Sequence, residues 1–193
     1  MRYSKDHKQE TRERIIRTAA RRFREDGVEA VGVAALMADA GLTHGGFYAH
    51  FPSKEALVAA ACAEGFGESQ RRLRKTVEQR PAGERLAAMA ESYLSPSHRD
   101  HPGQGCIAAA IGPEIVRHTA ETRAAFTRGL RDLVDMAEAA IAADGGDPAA
   151  APQAVATMVG ALILARSASD EALSDRFLES GRQAIRALAP KAG

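Results

Sequence analysis

The chain has no tryptophan, and cysteine occurs only at Cys62 and Cys106. With two thiols and no CxxC there is no disulfide framework. Sustained alternation of Val, Ile and Thr is missing, which argues against a sheet. Also missing are a Gly-rich phosphate loop, a nucleophile elbow, a metal signature and a convincing carboxylate pair in a sheet-built cleft. The expectation is a protein that is not an enzyme and carries no cofactor. Neither sign of charge is in excess: 26 Lys and Arg face 25 Asp and Glu, for a net charge of +1. That excludes strong global attraction to polyanions. The opening "MRYSKDHKQETRERI" has no apolar signal core, and the longest apolar stretch, Ala154 to Ala165, is too short to span a bilayer. The reading is a reducing, cytoplasmic setting without membrane contact.

Alanine is abundant and proline is rare within the periodic stretches, which favours helix. The 193 residues suffice for one sizeable core or a small domain fused to a larger one. Charge is unevenly placed. Between Met1 and Arg24 there are nine Lys or Arg against three Asp or Glu, a local +6 that leaves −5 for the rest. A basic end on a near-neutral chain fits nucleic-acid contact, but charge alone fits a solvated amphipathic helix with a basic tail better.

The first periodic segment is about Lys8 to Asp26. Ile15, Ile16, Ala19, Ala20 and Phe23 form one stripe and Gly27 stops it. Val33 to Ala40 follows with Leu36 and Met37 inward, Gly32 as N-cap and Gly41 as stop. Thr43 can cap a third short helix, His44 to His50, whose Phe47, with Phe51, points back to the same core. Two short helices joined by a glycine turn make a helix-turn-helix pattern. Pro52 and the N-cap Ser53 then open a long helix to about Gln79. Further helices are expected at about Ala82–Leu94, Cys106–Ile111, Pro113–Ala143, Ala149–Ser167 and Asp170–Leu188, with Ser95–Gly105 as a loop.

Gly45 and Gly46 stand at the start of the third helix, where glycine costs about 1 kcal/mol against alanine. They remove bulk at the end of a helix that a helix-turn-helix inserts into the major groove. Thr43 and His44 flank this smooth spot and can bond bases or phosphate. Tyr48 and His50 can hold phosphate oxygens, and Lys54 opens the next helix, where backbone N–H groups also favour an anion. The plain alternative is that the glycines let two helices pack closely.

The stretch from about Thr11 to Leu57 resembles the DNA-binding domain of the TetR/AcrR family of bacterial repressors. The matching runs are "RIIRTAARRFREDG" and "VAALMADAGLTHGGFYAHFPSKEAL". The resemblance implies an all-α fold: a three-helix helix-turn-helix DNA-binding domain, 1–55, and a helical effector-binding and dimerisation domain, 56–193. It implies a homodimer on a palindromic double-stranded operator, released by a small-molecule effector. Its DNA-contacting positions fall on Thr43, His44, Gly45, Gly46, Tyr48, His50 and Lys54, with Val33 and Ala34 at the start of the second helix. Many members carry a polar pair in that second helix, where this chain has Val33 and Ala34.

The last two helices are the expected dimer interface, through Val155, Met158, Val159, Leu162, Leu173 and Phe177. An effector pocket among the middle helices draws its candidate walls from Phe66, Met89, Tyr93, Cys106, Ile107, Ile111, His118, Thr122 and Phe126. Cys106 follows Gly105 near a helix start, a position that lowers a thiol pKa, so it is both a candidate electrophile or oxidant sensor and a candidate inert buried thiol. His98, His101 and Cys106 supply metal-ligand types but no fourth ligand, so no metal is expected.

Overall fold

Alanine-rich segments, punctuated by capping Ser, Thr and Asp and by Gly and Pro, become helices throughout. The computed structural model describes residues 2–189, with side chains from Asp6 onward. Among the described residues there are nine α-helices, three 310 turns and no strand. They are α1 (Arg2–Asp26), α2 (Val33–Asp39), a 310 helix (His44–Ala49), α3 (Lys54–Glu78), α4 (Arg85–Tyr93), α5 (Pro96–Asp100), a 310 turn (Pro102–Gln104), α6 (Ala108–Ile115), α7 (Ala120–Ala143), a 310 turn (Pro148–Ala150), α8 (Ala151–Ser167) and α9 (Glu171–Arg186).

The first three elements close around Phe23, Leu36, Met37, Phe47 and Phe51, all at most 1% exposed. Gly27 and Gly41 take φ of +82° and +70°, the left-handed region where glycine is free of Cβ strain. At Gly41 the amide bonds Ala38 O at 2.9 Å while Leu42 N bonds Met37 O at 2.8 Å, the paired bonds of a Schellman stop. The turn between the two short helices is therefore set by that glycine. Ser53 caps α3 as expected, its hydroxyl accepting from Ala56 N at 3.1 Å. α3 runs unbroken through Gly65 and Gly67, crosses the expected 55/56 boundary, and packs chiefly on α7 and α1.

Four expectations are corrected. The third helix is 310, not α: Gly46 N bonds Thr43 O and His50 N bonds Phe47 O, three residues apart. Two glycines lower α propensity there and the tighter form closes the short segment. Thr43 stands at its N-cap with extended backbone, but its side chain makes no cap bond. Pro113 lies inside α6 instead of opening a long helix. The break comes at Thr119, whose extended backbone (φ −61°, ψ 160°) and hydroxyl bond from Thr122 N start α7. The segment 95–105 is also more ordered than a loop, holding α5 and a 310 turn.

Residues 148–167 form a run of 20 residues long and apolar enough by composition to cross a membrane, longer than the expected apolar stretch. Here α8 packs against α9 and α7, burying Ala151, Ala154, Val155, Met158, Leu162 and Ala165.

Candidate nucleic-acid interface and effector cavity

The 310 helix leaves its outer side bare. Thr43, His44, Gly45 and Tyr48 are exposed, Tyr48 at 70%, while Phe47 between them is buried. A Cβ built on Gly45 meets nothing within 4 Å, and one on Gly46 meets only Met37 Cε at 3.7 Å and Thr43 Oγ1 at 3.8 Å. Close helix packing therefore does not require these glycines. They leave a flat, open surface with a free threonine hydroxyl, an imidazole and a phenol around it. Ala34 is exposed and Val33 half-buried against the core.

His50 is half-buried and its Nδ1 has no partner. Burial first, then the nearby charges of Lys8 and Arg12, hold its pKa below the ordinary value. Arg12 also lies over the Phe51 ring, 4.8 Å from the centroid. The basic N-terminal helix thus brings Lys8 and Arg12 to the flank of the tip, two residues that the motif did not single out. Lys54 is less free than expected: its Nζ donates to Val28 O at 2.7 Å, which fixes the α1–α2 loop and uses one of three ammonium protons.

The same loop is also gripped from α6. Val28 N donates to Glu114 Oε2 at 2.9 Å. Glu55, in the first turn of α3, accepts from His118 Nδ1 and from Thr122 Oγ1, each at 2.8 Å. Burial works against this carboxylate, but the bonds from His118, Thr122 and Thr119 hold its pKa below the ordinary value. A third link is deeper. Arg24, 4% exposed, donates to Glu68 Oε2 at 2.6 Å and to Gly105 O at 3.0 Å. It ties α1 to the residue preceding Cys106.

A cavity of about 350 Å³ lies between α3, the end of α4, the 95–106 segment and Leu133 of α7. Of the candidate wall residues, Tyr93 and Cys106 line it. The others lie elsewhere. Phe66 packs on Gly129 and edge-on against Phe126 at 5.2 Å. Met89 and Ile111 are fully buried core, Ile107 packs against Gly65, and His118 and Thr122 serve Glu55. Ser69, Arg72, Ser97, His101 and Gln104 line the cavity unanticipated, because their approach depends on how the 95–106 segment folds back.

Cys106 is 2% exposed. Its amide donates to His98 Nε2 at 2.8 Å, while His98 Nδ1 lies 2.6 Å from Tyr93 O. Those two partners fix a neutral imidazole with its proton on Nδ1. Burial, outweighing the Tyr93 carbonyl bond and joined by the charges of Arg166 and Arg72, brings the His98 pKa down to about 4. The Tyr93 hydroxyl is raised well above its ordinary pKa by burial and by the adjacent Cys106 thiol, and it lacks a geometrically sound hydrogen-bond partner. Arg166 donates to His98 O at 2.6 Å, and its Nη1 is buried without a partner. Burial pushes the other thiol, Cys62, up to about 12. Among the described residues no cluster of three His, Cys, Asp or Glu is arranged for a metal.

Residues 15–61 match the family model described as "Bacterial regulatory proteins, tetR family". The helix-turn-helix segment of this chain is therefore of the TetR type. It is 39% identical over 74 residues to the uncharacterized HTH-type transcriptional regulator YerO of Bacillus subtilis, a match over 38% of this chain and 25% of that protein. The chain thus spans about a quarter of that curated relative. It is 22% identical over 140 residues to the HTH-type transcriptional repressor NemR of Escherichia coli K12, covering 72% of this chain and 70% of NemR. The crystal structure of E. coli NemR in reduced form superposes with a TM-score of 0.81, at 21% identity, over 95% of this chain and 99% of that one. A TetR-family transcriptional regulator from Streptomyces coelicolor gives a TM-score of 0.70 at 25% identity, over 94% and 97%.

TetR-family regulators bind DNA and act as dimers. In this chain α8 and α9 divide the expected interface residues. Val155, Met158 and Leu162 are buried within the chain itself, so they cannot face a partner. Val159 and Phe177 are half-buried, and Leu173 is 41% exposed. Leu164, at 49% exposed, joins them. α8 is apolar nearly all round, so its sequence does not tell which face the core takes.

Proposed function

We propose that the protein is a cytoplasmic transcriptional repressor that binds a palindromic operator as a homodimer and is released by a small-molecule effector. The observation that carries this reading is the bare 310 tip: two glycines with no neighbour that needs them, framed by exposed Thr43, His44 and Tyr48. A major-groove reader gains from such a surface, because base edges approach the backbone. Val159, Leu164, Leu173 and Phe177 form the outward apolar strip for the dimer. The effector occupies the cavity beside Tyr93 and Cys106. Its arrival shifts the 95–106 segment, and Arg24 passes that shift from Gly105 to α1, so that the two reading heads no longer match successive grooves. A gel shift with random-sequence competitor tests this. Binding to one short palindrome should survive a large excess of competitor, and equal competition by any duplex would reject specific repression.

Cys106 carries a second input, as an electrophile or oxidant sensor. It lines the cavity, lies beside Tyr93 and near Arg166, and directly follows the carbonyl that Arg24 holds. The relative NemR is known in a form described as reduced, and Cys106 is the thiol here that reaches a cavity. Mass spectrometry after mild peroxide or N-ethylmaleimide should show Cys106 modified and Cys62 intact. An unmodified Cys106 in native protein ends this reading.

A further inference from the structure

Pockets for small ligands are mostly lined by apolar and aromatic side chains with a few polar groups. The cavity beside Cys106 departs from that. Leu73, Leu133 and the Tyr93 ring are its large apolar walls, and the rest is hydroxyl, amide, imidazole, guanidinium, the Cys106 thiol and Gly105, with no carboxylate among the described lining residues. Arg72 crosses from α3 to the 95–106 segment, where Nη2 donates to Gln104 O. Among the described residues no Asp or Glu pairs with it, so most of its five N–H donors remain available. Behind this lining, and facing a neighbouring cavity, Arg166 stands close to Tyr93 and Cys106 with an unpartnered buried Nη1. Asp100, whose charge acts on Arg166, is paired with Arg99 at 2.6 Å. The ring of Tyr93 is held edge-on to His98 at 4.8 Å, and its hydroxyl, on a side chain only 3% exposed, has no hydrogen-bond partner. The site is thus positive, rich in donors and unsatisfied.

We propose that this cavity binds a small organic monocarboxylate bearing a hydroxyl or keto group, its carboxylate on Arg72 and its second oxygen on the Tyr93 hydroxyl. A guanidinium fork matches a carboxylate through paired N–H bonds. The volume of about 350 Å³ admits roughly ten non-hydrogen atoms at about 30 Å³ each. His98 stays neutral and its ring nitrogens are taken, so it shapes the wall and does not hold the anion. This identification of the ligand class rests on reading the cavity as the effector site.

The test is calorimetric titration of the full-length protein with lactate, pyruvate and mandelate, each against its uncharged amide, with inorganic phosphate as a separate arm. At least one carboxylate should bind, and its amide at least tenfold more weakly. Arg72→Gln should weaken that carboxylate at least tenfold and Arg72→Lys less. Tyr93→Phe, which keeps the ring contact with His98, should also weaken it. Three outcomes overturn the proposal: no carboxylate binds, acid and amide bind alike, or Arg72→Gln changes nothing. Phosphate binding as tightly through Arg72 overturns the organic-acid identity. Operator affinity, read in parallel by anisotropy on a selected duplex, separates the two readings. Arg72-dependent carboxylate binding with unchanged operator affinity leaves the ligand class standing and removes the effector role. Specific operator binding with no carboxylate bound does the reverse.

Discussion

Replacing Arg24 with methionine keeps an unbranched apolar stem and removes every donor. Three bonds are lost: to Ala20 O at 2.8 Å, to Gly105 O at 3.0 Å and to Glu68 Oε2 at 2.6 Å. Removing one partner of a buried ion pair costs about 3–5 kcal/mol, because the other charge is stranded. Here the Arg24 side chain is 2% exposed but that of Glu68 is 24% exposed, so the carboxylate regains some water. The expected cost is therefore about 2–3 kcal/mol, near the value for hydrogen bonds to charged groups. For a chain of this length that lowers Tm by roughly 5–10 °C. Glu68→Gln, which keeps shape and an acceptor, should cost about 1 kcal/mol, the size of an ordinary net hydrogen bond. The double variant should fall short of the sum by about 1 kcal/mol or more, the coupling expected of touching residues. Denaturant unfolding of all four proteins at one protomer concentration gives the cycle. Strict additivity, or an Arg24→Met cost below about 0.5 kcal/mol, would refute a buried interdomain tie.

His98 has a native pKa of about 4, below the ordinary 6.5, so the unfolded chain binds more protons between those values. Its contribution is complete above pH 6.5 and is lost as pH falls toward 4, on the order of 3 kcal/mol at most; urea midpoints for His98→Asn should show a flatter slope over that window. Gly45→Ala adds a methyl group that meets nothing within 4 Å, so Tm should hold or rise, by up to about 1 kcal/mol of helix propensity, while operator affinity falls; unchanged affinity would show that the tip does not meet DNA. His44→Ala should alter base preference in competition assays, whereas Lys54→Ala should weaken all sequences alike and lower Tm through the lost Val28 bond.

Much of the N-terminal domain is legible in the sequence because its punctuation is local. Gly27 and Gly41 stop helices with positive φ, and Ser53 caps α3 through a bond three residues away. The 310 form of the tip follows from two adjacent glycines, whose weak α propensity was visible but whose outcome was not. Thr119 is a readable cap signal, but Pro113, itself a residue that favours helix starts, precedes it and competes for the same assignment. The cavity is another matter. Arg24 and Gly105 are 81 residues apart, and His98 reaches Cys106 only because α5 and a 310 turn fold the segment back on α4. No periodicity encodes such contacts. The bulky apolar residues proposed for the pocket instead fill the core, as large hydrophobic side chains do when buried positions are available.

The account turns on the exposed segment from Thr43 to Tyr48 reading duplex DNA. Selection of bound sequences from a random double-stranded pool measures this directly. Enrichment of one two-fold-symmetric pair of half-sites, its base preference shifted by His44→Ala, is the predicted result. A pool that emerges unenriched after repeated rounds with folded, dimeric protein would contradict it.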